Sequence, residues 1–128
     1  MLTLTSNPKN ISRVEPFIET LIKQHAINPE LYGNILISVT EAVTNAIVHG
    51  NQADESKNVC IKCQKKSNQI AIQVSDEGVG FDPDALPDPT APENLLKIGG
   101  RGVFLMRQLS DNVNFIDEGR TVEICFAI

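Results

Sequence analysis

The chain has 128 residues, 41% hydrophobic and 21% charged, a balance that suits one soluble domain with a two-layer core and no need of staples. Its net charge of −5 argues against a broad electrostatic grip on nucleic acid, so no direct nucleic-acid partner is expected. Three cysteines make no disulfide framework, the start MLTLTSNPKN has no signal-peptide pattern, and no unbroken apolar run approaches the roughly 20 residues that span a bilayer; a cytoplasmic location without a membrane anchor is therefore expected.

In chain order, LTLT (2–5) alternates and reads as a short strand. Residues 11–26 place Ile11, Val14, Phe17, Ile18, Leu21 and Ile22 at helical spacing. Pro16 is tolerable only in a first turn, so that helix starts near Ser12 to Glu15. The stretch INPELYGNILISVTEAVTNAIVHGN is the clearest helix, with Asn28 as N-cap, Pro29 at the first helical position and Gly50 as the C-terminal stop. NVCIKCQKK and QIAIQVSD alternate around a KSNQ turn and read as a hairpin. Cys60 and Cys63 form C-x-x-C, but an odd separation in a strand puts them on opposite faces, and no second pair completes a zinc site. Residues 82–101 are rich in Pro, Asp and Gly and read as a lid at about 84–99. GVFLMRQLSD then predicts a helix, and NVNFID and TVEICFAI predict two strands around an EGR turn. The order β-α-α-β-β-loop-α-β-β predicts an α+β two-layer sandwich over residues 1–128: a mixed, mainly antiparallel sheet with helices on one face.

Three constellations carry chemistry. Glu41, Asn45 and His49 recur every four residues, and each step drifts by only about 40° around a helix, so they share one edge. Solvated helix faces are common, but they favour strong helix formers, and Asn45 is a poor one. A carboxylate and an amide oxygen one turn apart can instead share a hard cation and its waters. The second is DEGVG, with Asp76 ending a strand and Gly78 and Gly80 following. It reads either as a glycine turn or as a carboxylate that receives a ligand's amino group beside bare backbone. The third is GGRG, Gly99 to Gly102, leading straight into a helix whose amides could hold phosphate. It is neither a Walker P-loop nor a Rossmann fingerprint.

Taken in order, E-x-x-x-N-x-x-x-H-G, D-x-G-x-G, a Pro-rich lid and G-x-G before a helix resemble the ATP site of the family joining gyrases, chaperone ATPases, histidine kinases and mismatch-repair ATPases, the GHKL or Bergerat fold. SVTEAVTNAIVHG in particular is similar to the bacterial anti-sigma-factor serine kinases. The resemblance implies ATP and Mg²⁺ as cofactors, with Asn45 as metal ligand and Glu41 orienting or deprotonating the attacking hydroxyl. It implies that Asp76 accepts the adenine amino hydrogen bond, with Gly78 against the base and Gly80 shaping the turn. Gly100, Arg101 and Gly102 would surround the phosphates, and His49 would support the metal–phosphate region or the helix itself. Lys97 and Arg101 are the chief cations near the lid, fewer than a side-chain clamp on phosphate would use. Arg13 falls where related kinases touch their protein partner, though a lone arginine there is also an ordinary surface charge.

The function so implied is an ATP- and Mg²⁺-dependent serine/threonine protein kinase in partner switching. Its substrate would be a STAS-type anti-anti-sigma protein, and it would also bind a sigma factor or another regulator; a homodimer is left open. Two alternatives stand beside it: a non-catalytic ATP-gated interaction module, and a histidine-kinase-like catalytic domain. No helix pair bearing an acceptor histidine accompanies the chain's motifs, which counts against the last.

Overall fold

The computed structural model describes residues 1–78 and 100–128. Strand β1 (Leu2–Thr5) runs into a 3-10 turn, Pro8–Arg13, and helix α1 (Val14–Gln24). A second 3-10 turn, Pro29–Leu31, opens α2 (Tyr32–Thr44), which continues without a break as a π-helical segment, Asn45–Gly50. Strands β2 (Asn58–Lys66) and β3 (Gln69–Ser75), helix α3 (Gly100–Leu109), and strands β4 (Asn112–Ile116) and β5 (Thr121–Ala127) complete the described chain. The lid expected at about 84–99 lies outside the described residues.

The sheet order is β1-β2-β3-β5-β4, and each of the four pairings is antiparallel. The mainly antiparallel α+β sandwich expected from the hairpins is therefore the fold. Period-two alternation sorts the side chains. Ile61, Ile70, Ile72, Ile124 and Phe126 are buried in one cluster with Val14 and Ile18 of α1, Ile35 and Val39 of α2, and Val103 and Met106 of α3. Lys62, Gln64, Gln73 and Glu123 line the opposite face, where Gln73 Nε2 donates to Glu123 Oε2 at 2.9 Å. Cys63 packs against the core, while Cys60 sits opposite Ser75 in the next register position of the other set. Burial pushes the Cys63 and Cys125 thiols up, away from reactive thiolate.

Local chemistry sets the helix starts. Asn28 Oδ1 accepts the Glu30 N–H at 3.0 Å with Pro29 between them. Pro16 is the third residue of α1, where its missing N–H has no intrahelical acceptor to lose. By length and composition one described stretch, Pro29–Gly50, could cross a bilayer, which a search for an unbroken apolar run passes over. Its apolar residues Ile35, Val39, Val43 and Ile47 are fully buried against sheet and helices, so here it is a core helix.

The helix ends at Gly50 as expected, but without a left-handed cap: Gly50 is the last residue of the π segment, and Asn51 follows in right-handed helical conformation, its N–H bonded to Ala46 O at 2.8 Å.

Ser38 of α2 is fully buried, and its Oγ has no hydrogen-bond partner among the described residues. An unsatisfied buried hydroxyl costs about 1–3 kcal/mol, so Ser38→Ala should stabilise the protein by about 1 kcal/mol, read as a higher urea midpoint at unchanged slope. A lower midpoint would show that the hydroxyl is bonded.

Candidate functional site

Helix α2 enters the core on one side through Val39, Ala42, Val43, Ala46 and Ile47. The other edge carries Glu41, Asn45 and His49, each half-buried. Among the described residues none of these three side chains has a hydrogen bond or ion pair. Among the described residues these three groups are thus left to solvent or a ligand.

Helix α3 closes over that edge at its N-terminus. A Cβ on Gly102 would lie 2.8 Å from Asn45 Nδ2 and 3.1 Å from Glu41 Oε2. The absence of a side chain is what lets the first turn of α3 reach the carboxylate and the amide. The first and third sequence constellations are thus one place. Gly100 and Arg101 form the opening residues of α3 just before it.

The second constellation meets the other end of the same helix. Asp76 follows β3, and its Oδ1 accepts the Gly78 N–H at 2.8 Å. Its carboxylate presses on Gly50, where an added Cβ would lie 2.5 Å from Asp76 Cγ. Gly78 in turn packs on the Gly50 carbonyl closely enough to exclude any side chain. Burial holds the Asp76 carboxyl above the ordinary 3.8, opposed by the Gly78 N–H and by the charges of Arg120 and Lys57. The π segment Asn45–Gly50 joins the two groups, with Glu41, Asn45 and Gly102 at one end and Gly50, Asp76 and Gly78 at the other. π turns are rare and recur at functional sites.

His49 lies on this segment, and burial lowers its pKa below the ordinary 6.5. It is neutral at pH 7, so it can exchange hydrogen bonds but is no cationic clamp. Arg13 lies apart, exposed where the 3-10 turn meets α1. Gly80 is outside the described residues. A shallow concavity on the outer sheet face, lined by Lys62, Gln64, Ala71, Gln73 and Glu123, contains none of the expected site residues.

The donor set suits a hard cation only in part. Glu41 and Asn45 offer oxygens, but among the described residues no three metal-binding side chains cluster. Mg²⁺ is commonly held by one or two protein oxygens plus phosphates and water, and the two residues fit that role.

Sequence reasoning missed two contributors. Asn51, 1% exposed, bonds the Glu77 N–H through Oδ1 at 2.8 Å. The charge of Arg120, in the β4–β5 turn, favours the ionised form of Asp76. Asn51 had a faint signal, a second amide directly after the helix-ending glycine; Arg120 had none, because its nearness depends on the pairing of β3 with β5.

The two α2 glycines provide a test. Gly33 has nothing within 4 Å of a built Cβ, whereas Gly50 meets Asp76. Gly33→Ala should stabilise the fold by up to about 1 kcal/mol through helix propensity. Gly50→Ala should destabilise it by about 1–3 kcal/mol through overpacking, as measured by denaturant titration. A neutral Gly50→Ala would mean that Asp76 does not press there.

Comparison with known proteins bears on the family and the fold. Residues 4–126 match the family described as Histidine kinase-like ATPase domain. The serine-protein kinase RsbW of Listeria innocua is 26% identical over 128 residues, covering 94% of this chain and 82% of the relative. The anti-sigma F factor of Clostridium perfringens is 33% identical over 110 residues, 84% of this chain and 71% of the relative. Among solved structures, the histidine kinase domain of the Erythrobacter litoralis EL346 blue-light activated histidine kinase superposes with a TM-score of 0.54 at 26% identity, covering 77% of this chain and 44% of that one. The chain belongs to the histidine-kinase-like ATPase family, in the branch of the anti-sigma serine kinases.

Proposed function

We propose that residues 1–128 act as a single ATP-binding domain whose activity is serine/threonine protein phosphorylation in partner switching. The substrate is a STAS-type anti-anti-sigma protein, and the same chain sequesters a sigma factor or another regulator in the cytoplasm. One observation carries the kinase reading: Glu41, with no described partner of its own, lies with Asn45 under the N-terminus of α3, within 3.1 Å of the built Gly102 Cβ. A free carboxylate beside a metal-ligand candidate and a phosphate-binding helix end is the arrangement that hydroxyl activation needs.

In this reading the adenine amino group donates to Asp76, whose Oδ1 is already oriented by the Gly78 N–H. Gly50 and Gly78, packed on each other as bare backbone, hold the Asp76 turn beside which the base lies. Asn45 and the α3 amides hold the phosphates, and His49 supports the same edge as a neutral hydrogen-bonding group. Mg²⁺ bound at Asn45 would neutralise phosphate charge. Glu41 takes the proton of the substrate hydroxyl as its oxygen bonds to the terminal phosphorus and the bridging bond to ADP breaks. Arg13, exposed on the α1 side, anchors the protein partner.

Glu41→Gln keeps shape and hydrogen-bonding capacity and removes the basic charge. Phosphotransfer to the partner should fall by about 10²–10⁴-fold with ATP affinity nearly unchanged. Single-turnover rates and calorimetry on the same folded variant measure both. An unchanged rate would remove Glu41 from the chemistry, and a wild-type chain that binds a partner in an ATP-dependent way yet transfers nothing would make it an ATP-gated binding module.

Asp76 supplies a second test through pH. It accepts the amino hydrogen bond most strongly when ionised, and burial holds its apo pKa above 3.8. Affinity is then full above that raised value and is lost as pH falls through it. Calorimetry across acidic pH should show ATP affinity declining at a higher pH than an unperturbed aspartate would give, and Asp76→Asn should weaken ATP by roughly ten- to hundredfold. An Asp76→Asn variant with full affinity would place adenine elsewhere.

A further inference from the structure

Beyond the residues that would touch nucleotide, one fully used polar side chain stands behind them. Asn51 is 1% exposed, and its hydrogen-bonding groups all have partners. Its Nδ2 donates to Ser6 Oγ at 2.8 Å and to Asn58 O at 3.0 Å, and its Oδ1 accepts the Glu77 N–H at 2.8 Å. Ser6 Oγ passes its own proton on to Lys57 O at 2.7 Å. The Glu77 carboxylate returns to the Asn58 N–H. A buried amide with every group matched fixes one geometry, because any shift leaves a group unpaired.

The turn it holds is the one that bears Asp76. Three successive N–H groups are spoken for by three different sources. The Asp76 N–H donates to Arg120 O at 2.9 Å, the Glu77 N–H to Asn51, and the Gly78 N–H to the Asp76 carboxylate itself. The first bond ties the turn to the β4–β5 hairpin, and the third is internal to it. Only the second ties it to the end of the α2 helix, the wall against which Asp76 lies at Gly50. The π segment is what delivers Asn51 there, since its own N–H closes the last wide turn on Ala46 O.

We propose that Asn51 is a positioning residue for base recognition: through the Glu77 N–H it holds the Asp76–Gly78 turn against Gly50, and so sets both the affinity for the nucleobase and the preference for adenine over guanine. The inference rests on the reading of Asp76 as the group that receives the adenine amino hydrogen bond. Guanine presents an oxygen at the corresponding position, which a fixed carboxylate repels; a carboxylate free to swing aside repels it less. Asn51 itself touches no nucleotide.

The experiment uses the full chain and calorimetric titration with ATP and with GTP. Three proteins are compared: wild type, Asn51→Ala and Ser6→Ala. The Ser6 variant removes one Asn51 bond and leaves the Oδ1 bond to Glu77 in place. Denaturant midpoints are taken for each. Asn51→Ala should weaken ATP by about tenfold and shrink the ATP-to-GTP ratio by a similar factor, the effect of one mispositioned charged acceptor. Ser6→Ala should lose stability and keep ATP affinity and the ratio within about twofold of wild type, because the Asn51 Oδ1 bond to the Glu77 N–H stays in place.

A second measurement on the wild type covers the case in which Asn51→Ala does not fold. If the Asn51–Glu77 bond favours nucleotide, nucleotide must favour the bond by the same factor. Hydrogen exchange at the Glu77 amide should therefore slow on saturation with ATP. A wild type that binds ATP, with Asn51→Ala and Ser6→Ala alike in affinity and base preference, overturns the inference and leaves the site reading intact. So does a Glu77 amide indifferent to bound ATP. A folded wild type with no affinity for ATP overturns the site reading, and the inference with it.

Discussion

Between Asn45 and Gly50 the chain stops being an α-helix without ceasing to be helical. The wider π turn at the end of the core helix is closed by the Asn51 N–H on Ala46 O. At that end Gly50 meets Asp76 and Gly78, with no room for a Cβ on either glycine. At the other end Asn45 meets Gly102 beside Glu41. The spacing between these meetings is a property of one buried helical segment, not of loops. Sites on rigid elements hold their geometry better than sites on loops, and this one is anchored through Ala46 and Ile47, both buried in the core.

That placement sets its electrostatics. Glu41, Asn45 and His49 are half-buried along a helix whose opposite side is apolar apart from Ser38. Desolvation works on the ionisable groups in opposite senses, raising Asp76 and lowering His49. His49 is thereby neutral at pH 7, while the Gly78 N–H and the Arg120 and Lys57 charges favour an ionised Asp76. Among the described residues no side-chain cation is paired with Glu41 or Asp76. An anionic ligand entering it brings charge that a bound cation must help to balance, which fits a nucleotide arriving with its metal.

Much of the fold and part of the site were legible in the sequence, for reasons that can be named. Alternation in NVCIKCQKK and QIAIQVS gave strand and register because one sheet face is apolar and the other polar. The Asn28–Pro29 start is a local signal and appears as read. The four-residue stripe was visible because spacing along a helix survives a modest change of pitch. That same tolerance hid the π turn: over six residues α and π patterns of Ala, Val and Ile look alike. Gly50 reads as a stop, and the helix ends there, but the close approach of Asp76 that also requires a glycine comes from a residue 26 positions later. Asn51 and Arg120 act through tertiary contacts to Glu77 and Asp76, and no local pattern encodes those.

The account places nucleotide between the polar edge of α2, the N-terminus of α3 and the Asp76–Gly78 turn. The most direct test is an amide NMR titration with ATP and Mg²⁺. The account predicts that the largest shifts fall on Gly50, Gly78 and Gly102 together, with Lys62, Gln73 and Glu123 on the outer sheet face unmoved. Shifts concentrated on that outer face, with the three glycines silent at saturation, would contradict it.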